Sequence, residues 1–201
     1  MSMAKLRAAR PRGLAMSLGR SLHRRLPARR AWLKSLHLAM IPLFAWFMVM
    51  QPDDVVPMGE LAWDIHSKLA LVFVSMVLFW YADYLRRGLA GRPGPKLGPR
   101  ARAFHRGLHR TLIWGLFLVA LSGFGLGLTS ATLLKAGDIL PVAPPLDMPR
   151  LNALIGWFHT VEFYALGGVV LVHAGFHVWR HVRLRDNALR IMAPRALHRF
   201  L

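Results

Sequence analysis

Three histidines, His173, His177 and His181, recur every fourth residue in the apolar stretch LVHAGFHVWRH, residues 171–181. An imidazole in a hydrocarbon setting needs a partner, and ionisable residues inside an apolar span face the bundle interior and mark functional chemistry. His159 stands 14 residues before His173, in the same apolar run. That separation is about 21 Å of helical rise, and fourteen steps of ~100° return to within about 40° of the starting direction. One helix therefore presents imidazoles to one stripe of neighbours at two depths. His177 is also a whole number of turns from His159, so periodicity leaves His173 and His177 open as alternatives.

The elements that must hold these residues follow from hydropathy. A helix needs about 20 mostly apolar residues to cross ~30 Å of hydrocarbon. Four segments meet that requirement, at about 32–51, 65–85, 108–130 and 154–180. Pro42 in the first is tolerated where other helices pack around it, and Gly123, Gly125 and Gly127 in the third permit close helix contact. The linker GRPGPKLGPR, 91–100, is a Pro/Gly hinge between two helical hairpins. The expected fold is all-α, an integral membrane four-helix bundle over residues 31–195. A basic extension, 1–30, precedes it and a short tail, 196–201, follows.

Charge sets the expected orientation. The chain has 27 Lys and Arg against 9 Asp and Glu, a net charge of +18. The basic residues are confined to segments between apolar runs: ten in 1–36, eight in 86–110 and six from Arg180 onward. The connections 51–64 and 131–153 hold only Lys135 and Arg150, and six acids. That asymmetry predicts both termini on the cytoplasmic side of a membrane, and points to a lipid bilayer, not nucleic acid, as the partner of the charge. The N-terminal segment reads as a basic stretch on anionic headgroups. ARRAWLKSLHL faintly resembles an export signal, but no A-x-A cleavage site ends the run and three spans follow. The absence of cysteine excludes disulfides, iron–sulfur clusters, thiolate zinc sites and covalent haem attachment.

Alternating helix direction then pairs the histidines by depth. His66 opens the second span near the outer surface, level with His159. His37 opens the first span on the inner side, level with His173. Two bis-imidazole pairs in an apolar bundle are what two non-covalent b-type haems require: neutral nitrogens on both faces of each iron, within low-dielectric walls. Zinc is the competing cofactor at the outer level, where Asp64 or Glu162 would add ligands. His105 and His109, at the inner start of the third span, offer His177 a partner. His105, His109, His177 and His181 rank below the four paired residues, as neighbours of the ligands, propionate or quinone contacts, or interfacial residues. His23 and His198 lie in basic flanks.

The stretch FHTVEFYALGGVVLVHAGFHVWRHVRLRDNALRIMAPR resembles the corresponding region of the bacterial cytochrome b561 family, with Asp186, Asn187, Leu189 and Met192 filling the family's RDN-type ending. The resemblance extends to His37, to DIHSKLALV with His66, and to HRGLHRTLIWGLFLVALSGFGLGL with His109 and Gly123, covering about 36–195. It implies a four-helix di-haem protein passing electrons between a donor and a quinone such as ubiquinone, with His37, His66, His159 and His173 as axial ligands, which favours His173 over His177. Superoxide-to-quinone transfer is known for some members and is a further expectation. The chain departs from the pattern at Leu38, where a Trp usually stands, and at Trp80, where an Arg is common. Arg86, Arg87, Arg180 or Arg183 would then take the role of that cation. The competing function is a haem-bearing anchor subunit that docks a dehydrogenase or a soluble cytochrome.

Overall fold

The computed structural model describes residues 29–91, 93–137, 139–193, 198 and 199. The expectations for residues 1–28, including His23, and for most of the 196–201 tail lie outside the described residues. Each apolar segment forms one helix: Arg29–Val49, Glu60–Arg87, Pro99–Thr129 and Pro149–Arg183, called here the first to fourth helices. All four are long and apolar enough to cross a membrane. The helices overrun the expected spans because hydropathy marks only the lipid-embedded part. The third begins at Pro99 rather than near 108, with the proline in its first turn, where a missing N–H leaves no bond unmade. Arg86 and Arg87 close the second helix and Arg180, His181 and Arg183 the fourth, cations that suit the negative end of the helix dipole.

Both described chain ends and the 88–98 connection gather at one end of the bundle, designated the basic end. The opposite, acidic end carries the short helix Pro52–Val55, a 3-10 turn at Val56–Met58, and the connection after Thr129. That connection holds the described residues' only strands, an antiparallel hairpin of β1 (Leu134–Ala136) and β2 (Leu140–Ala143) turning through Gly137 at φ 59°. It is the one departure from the all-α expectation, a local turn-driven pairing that hydropathy does not signal.

Few side chains are buried, because most apolar groups face outward: Phe79 is 70% exposed and Leu171 74%. In a bilayer those faces meet lipid, so burial between helices depends on shape and small residues. Gly115 shows this, since a Cβ there would lie 2.8 Å from Leu166 Cδ1 on the fourth helix. The mid-bundle core has two touching clusters, Met40, Phe73 and Val77 in one, and Val119, Phe163 and Leu166 in the other. Phe44 and Phe47 pack against both and join them.

The basic end is tied by ion pairs. Arg180 donates from Nε and Nη2 to Asp186 Oδ2 at 2.8 and 2.7 Å, and Asp186 Oδ1 accepts the Ala188 N–H. Lys96 donates to the carbonyls of Leu184 and Arg185, holding the 88–98 connection against the end of the fourth helix. Gly94 permits that approach, since a Cβ there would lie 2.5 Å from Arg180 Nη2. Arg29 joins the first helix to the second through Asp83 and the Gly88 carbonyl.

Candidate functional site

At the basic end five imidazoles converge. His37 on the first helix faces His173 on the fourth with ring centroids 6.4 Å apart. Two metal–imidazole bonds of about 2 Å, each with about 1 Å from nitrogen to ring centre, place the rings of a bis-imidazole site about 6 Å apart, so this spacing suits an axial pair. The Nδ1 atoms of His37 and His173 are buried without a hydrogen-bond partner. Buried polar atoms without partners are rare, and two of them in a bundle surrounded by lipid mark the pair as a functional site. Trp80, at the position where the family's arginine was expected, meets His37 edge-on at 5.7 Å. An indole there borders the gap with an apolar wall and no charge.

His109 and His177 lie against the same pair, at 4.8 and 4.6 Å from His173. His105, only 2% exposed, touches His109 at 4.1 Å and His177 at 5.9 Å. His181 is half-buried one turn beyond His177. Arg180, one of the four arginines expected to take the role of the missing family cation, is 1% exposed and committed to Asp186, while its guanidinium lies 6.0 Å over the Phe176 ring. Arg86 and Arg87 are exposed, Arg87 reaching Asp83 at 3.7 Å, and Arg183 is exposed at the end of the fourth helix.

The acidic-end histidines are held differently. His159 Nδ1 lies 2.9 Å from Ser122 Oγ, and the Ser122 hydroxyl points to Glu162 Oε2 at 2.8 Å and the Val119 carbonyl at 3.1 Å. With its one proton directed to either of those oxygens, Ser122 can only accept from the ring. His159 therefore carries its proton on Nδ1 and offers Nε2 as a lone pair, the tautomer a metal ligand needs. Gly123 lets the third helix press on this ring, a Cβ there being 3.0 Å from His159 Cε1. His66 is buried among aromatics, stacked on Trp63 at 6.1 Å and edge-on to Phe47 at 5.0 Å. Trp46 Nε1 donates to His66 Nδ1 at 3.3 Å, which places the neutral ring's proton on Nε2. Ligation through Nε2 requires that contact to open, so His159 fits an iron as it stands and His66 fits only after its tautomer changes. No ring contact or hydrogen bond joins His66 to His159.

Sequence reasoning passed over Ser122 and Trp46. Ser122 carried a signal, as a polar residue inside an apolar span. Trp46 carried none, since an indole in a span reads as packing. A family model described as prokaryotic cytochrome b561 matches residues 28–195. No curated protein matches the chain.

Proposed function

The chain belongs to the prokaryotic cytochrome b561 family, whose function is electron transfer by b-type haem in a membrane, and we propose that it carries electrons between two haems, one near each end of the bundle, and on to a quinone. Bound haem supplies one-electron exchange at iron. His37 and His173 hold the basic-end group and His66 and His159 the acidic-end group. The observation that carries this reading is the facing of His37 and His173 across the bundle with ring centroids 6.4 Å apart. His173 rather than His177 is the ligand, because it is His173 that meets the ring of His37.

The remaining residues orient and insulate. Ser122 and Glu162 hold the His159 ring in its ligating tautomer. Phe44, Phe47, Phe73 and Phe163 fill the space between the two levels and exclude water from it. A groove lined by Tyr84, Leu85, Gly88, Leu89, Arg106, Arg110 and Trp114 opens between the second and third helices at the basic end. Aromatic walls with two guanidinium groups suit a quinone head and its reduced anion. The concentration of Lys and Arg at this end supports a cytoplasmic position for it and for both termini, in the inner membrane of a bacterium. At the acidic end Lys68 is paired with Asp64, which leaves less positive field to attract superoxide, and the quinone-linked role does not depend on that donor.

Pyridine haemochrome quantitation of the purified chain tests the assignment. Two b haems per chain are expected, with one lost in His173→Ala and none in His177→Ala. Full haem content in His173→Ala transfers the role to His177, and a chain that remains colourless when supplied with haem overturns the reading.

A further inference from the structure

We propose that His105, His109 and His177 form a binding site for a divalent transition metal, zinc being the probe, separate from the residues assigned to haem. One ligand nitrogen from each of the three side chains lies within 4.8 Å of the others. His105 and His109 are one turn apart on the third helix and His177 projects from the fourth, so a bound ion pins these two helices together at the basic end.

Three further features favour ligation over packing. His109 Nδ1 lies 2.7 Å from the His105 carbonyl, an acceptor only, so the ring donates from Nδ1 and its lone pair sits on Nε2. A backbone carbonyl on the far ring nitrogen is how proteins commonly fix a metal-binding imidazole. His105 Nδ1 and His177 Nε2 are buried without a hydrogen-bond partner. The third feature is a small neighbour: a Cβ added to Gly91 would have His109 Nε2 at 3.5 Å and His105 Cε1 at 3.7 Å as its nearest contacts, so the residue facing the third-helix ligands brings no side chain against them.

The donor set chooses the ion. Three neutral imidazoles, with no carboxylate among them, select borderline metals and discriminate against calcium and magnesium. Zinc takes three histidines readily and keeps a fourth position open for water. Because His109 also touches His173 at 4.8 Å, an ion at this site would stand next to an imidazole assigned to haem.

The full-length chain, purified in detergent with a non-histidine tag, would be equilibrated with zinc sulfate and desalted, and zinc and haem measured on the same sample. One zinc per chain is expected, with a zinc-edge X-ray absorption spectrum showing an all-nitrogen and oxygen shell that contains three imidazoles. The double variant His105→Gln/His177→Gln keeps one of the three ligands and should lose stoichiometric zinc after desalting while keeping the wild-type haem content, and His198→Gln should bind as the wild type does. No stoichiometric zinc in the wild type overturns the proposal, as does undiminished zinc in the double variant. Haem loss in that variant also overturns it, by assigning these imidazoles to the haem pocket. If the double variant aggregates, the wild-type absorption spectrum decides, and fewer than two imidazoles per zinc refutes the site. A chain without haem but with one zinc would count against the haem assignment alone.

Discussion

Replacing Glu162 by Gln removes a negative charge without changing shape, and the hydrogen-bond chain behind His159 sets the size of the effect. Ser122 Oγ lies 2.9 Å from His159 Nδ1 and 2.8 Å from Glu162, so the carboxylate stands within about 6 Å of the ring and about 10 Å of an iron on Nε2. One charge at about 10 Å is worth about 1.7 kcal/mol at an effective dielectric of 20 and about 0.4 kcal/mol at 80. For a one-electron couple those energies correspond to about 70 and 20 mV. The negative charge stabilises the oxidised iron, so Glu162→Gln should raise the midpoint potential of the acidic-end haem by an amount in that range. A potentiometric titration followed in the visible bands would separate the two haems, and the one lost in His173→Ala should stay where it was. Two unmoved potentials, or a shift confined to the His37–His173 haem, would refute the placement of Glu162 behind an iron ligand.

Trp46→Phe removes the donor that holds His66 in its non-ligating tautomer. With a neutral hydrogen bond worth about 0.5–1.5 kcal/mol, haem should bind the acidic-end site roughly 2–10-fold more tightly, read by transfer of haem to apo-myoglobin; weaker retention would show that Trp46 supports the site instead. Asp186→Ala strands the buried Arg180 guanidinium, a loss of about 3–5 kcal/mol that should lower the apparent Tm by at least about 6 °C. Gly94→Ala should cost about 1–3 kcal/mol by pressing on Arg180 and Asp186, and less in the Asp186→Ala background, where one of the two contacts is gone and Arg180 has lost the anchor that holds it against Gly94.

The four spans were legible because lipid demands long apolar runs, and the histidines were legible because a polar group in such a run stands out. Their pairing was legible only where depth decides it. His37 and His173 meet as their levels require. The burial of His105 was not legible, because it falls in the arginine-rich segment RARAFHRGLHR, where hydropathy indicates a connection. The third helix continues through that segment, since helicity outlasts the lipid boundary wherever backbone bonds and a first-turn proline allow. The tautomers of His66 and His159 were beyond the sequence altogether, for they depend on which side chain reaches Nδ1, a matter of rotamer and helix rotation.

That difference in partners gives the bundle a direction. The His159 ring has a carboxylate behind it through Ser122, whereas His37 and His173 have apolar Trp80 and further imidazoles as neighbours and lie at the end where most of the described arginines gather. A nearby anion favours the ferric state and nearby cations the ferrous state, so the basic-end haem should have the higher midpoint potential. Electrons entering at the acidic end would then run downhill across the bundle toward the groove of Arg106, Arg110, Tyr84 and Trp114, where a quinone would collect two of them with two protons from solvent. The ordering is measurable in the same potentiometric titration, with His173→Ala identifying which couple belongs to the basic end. A higher potential at the acidic end would reverse the direction of flow, and would mean that burial of the iron site outweighs the surrounding charge.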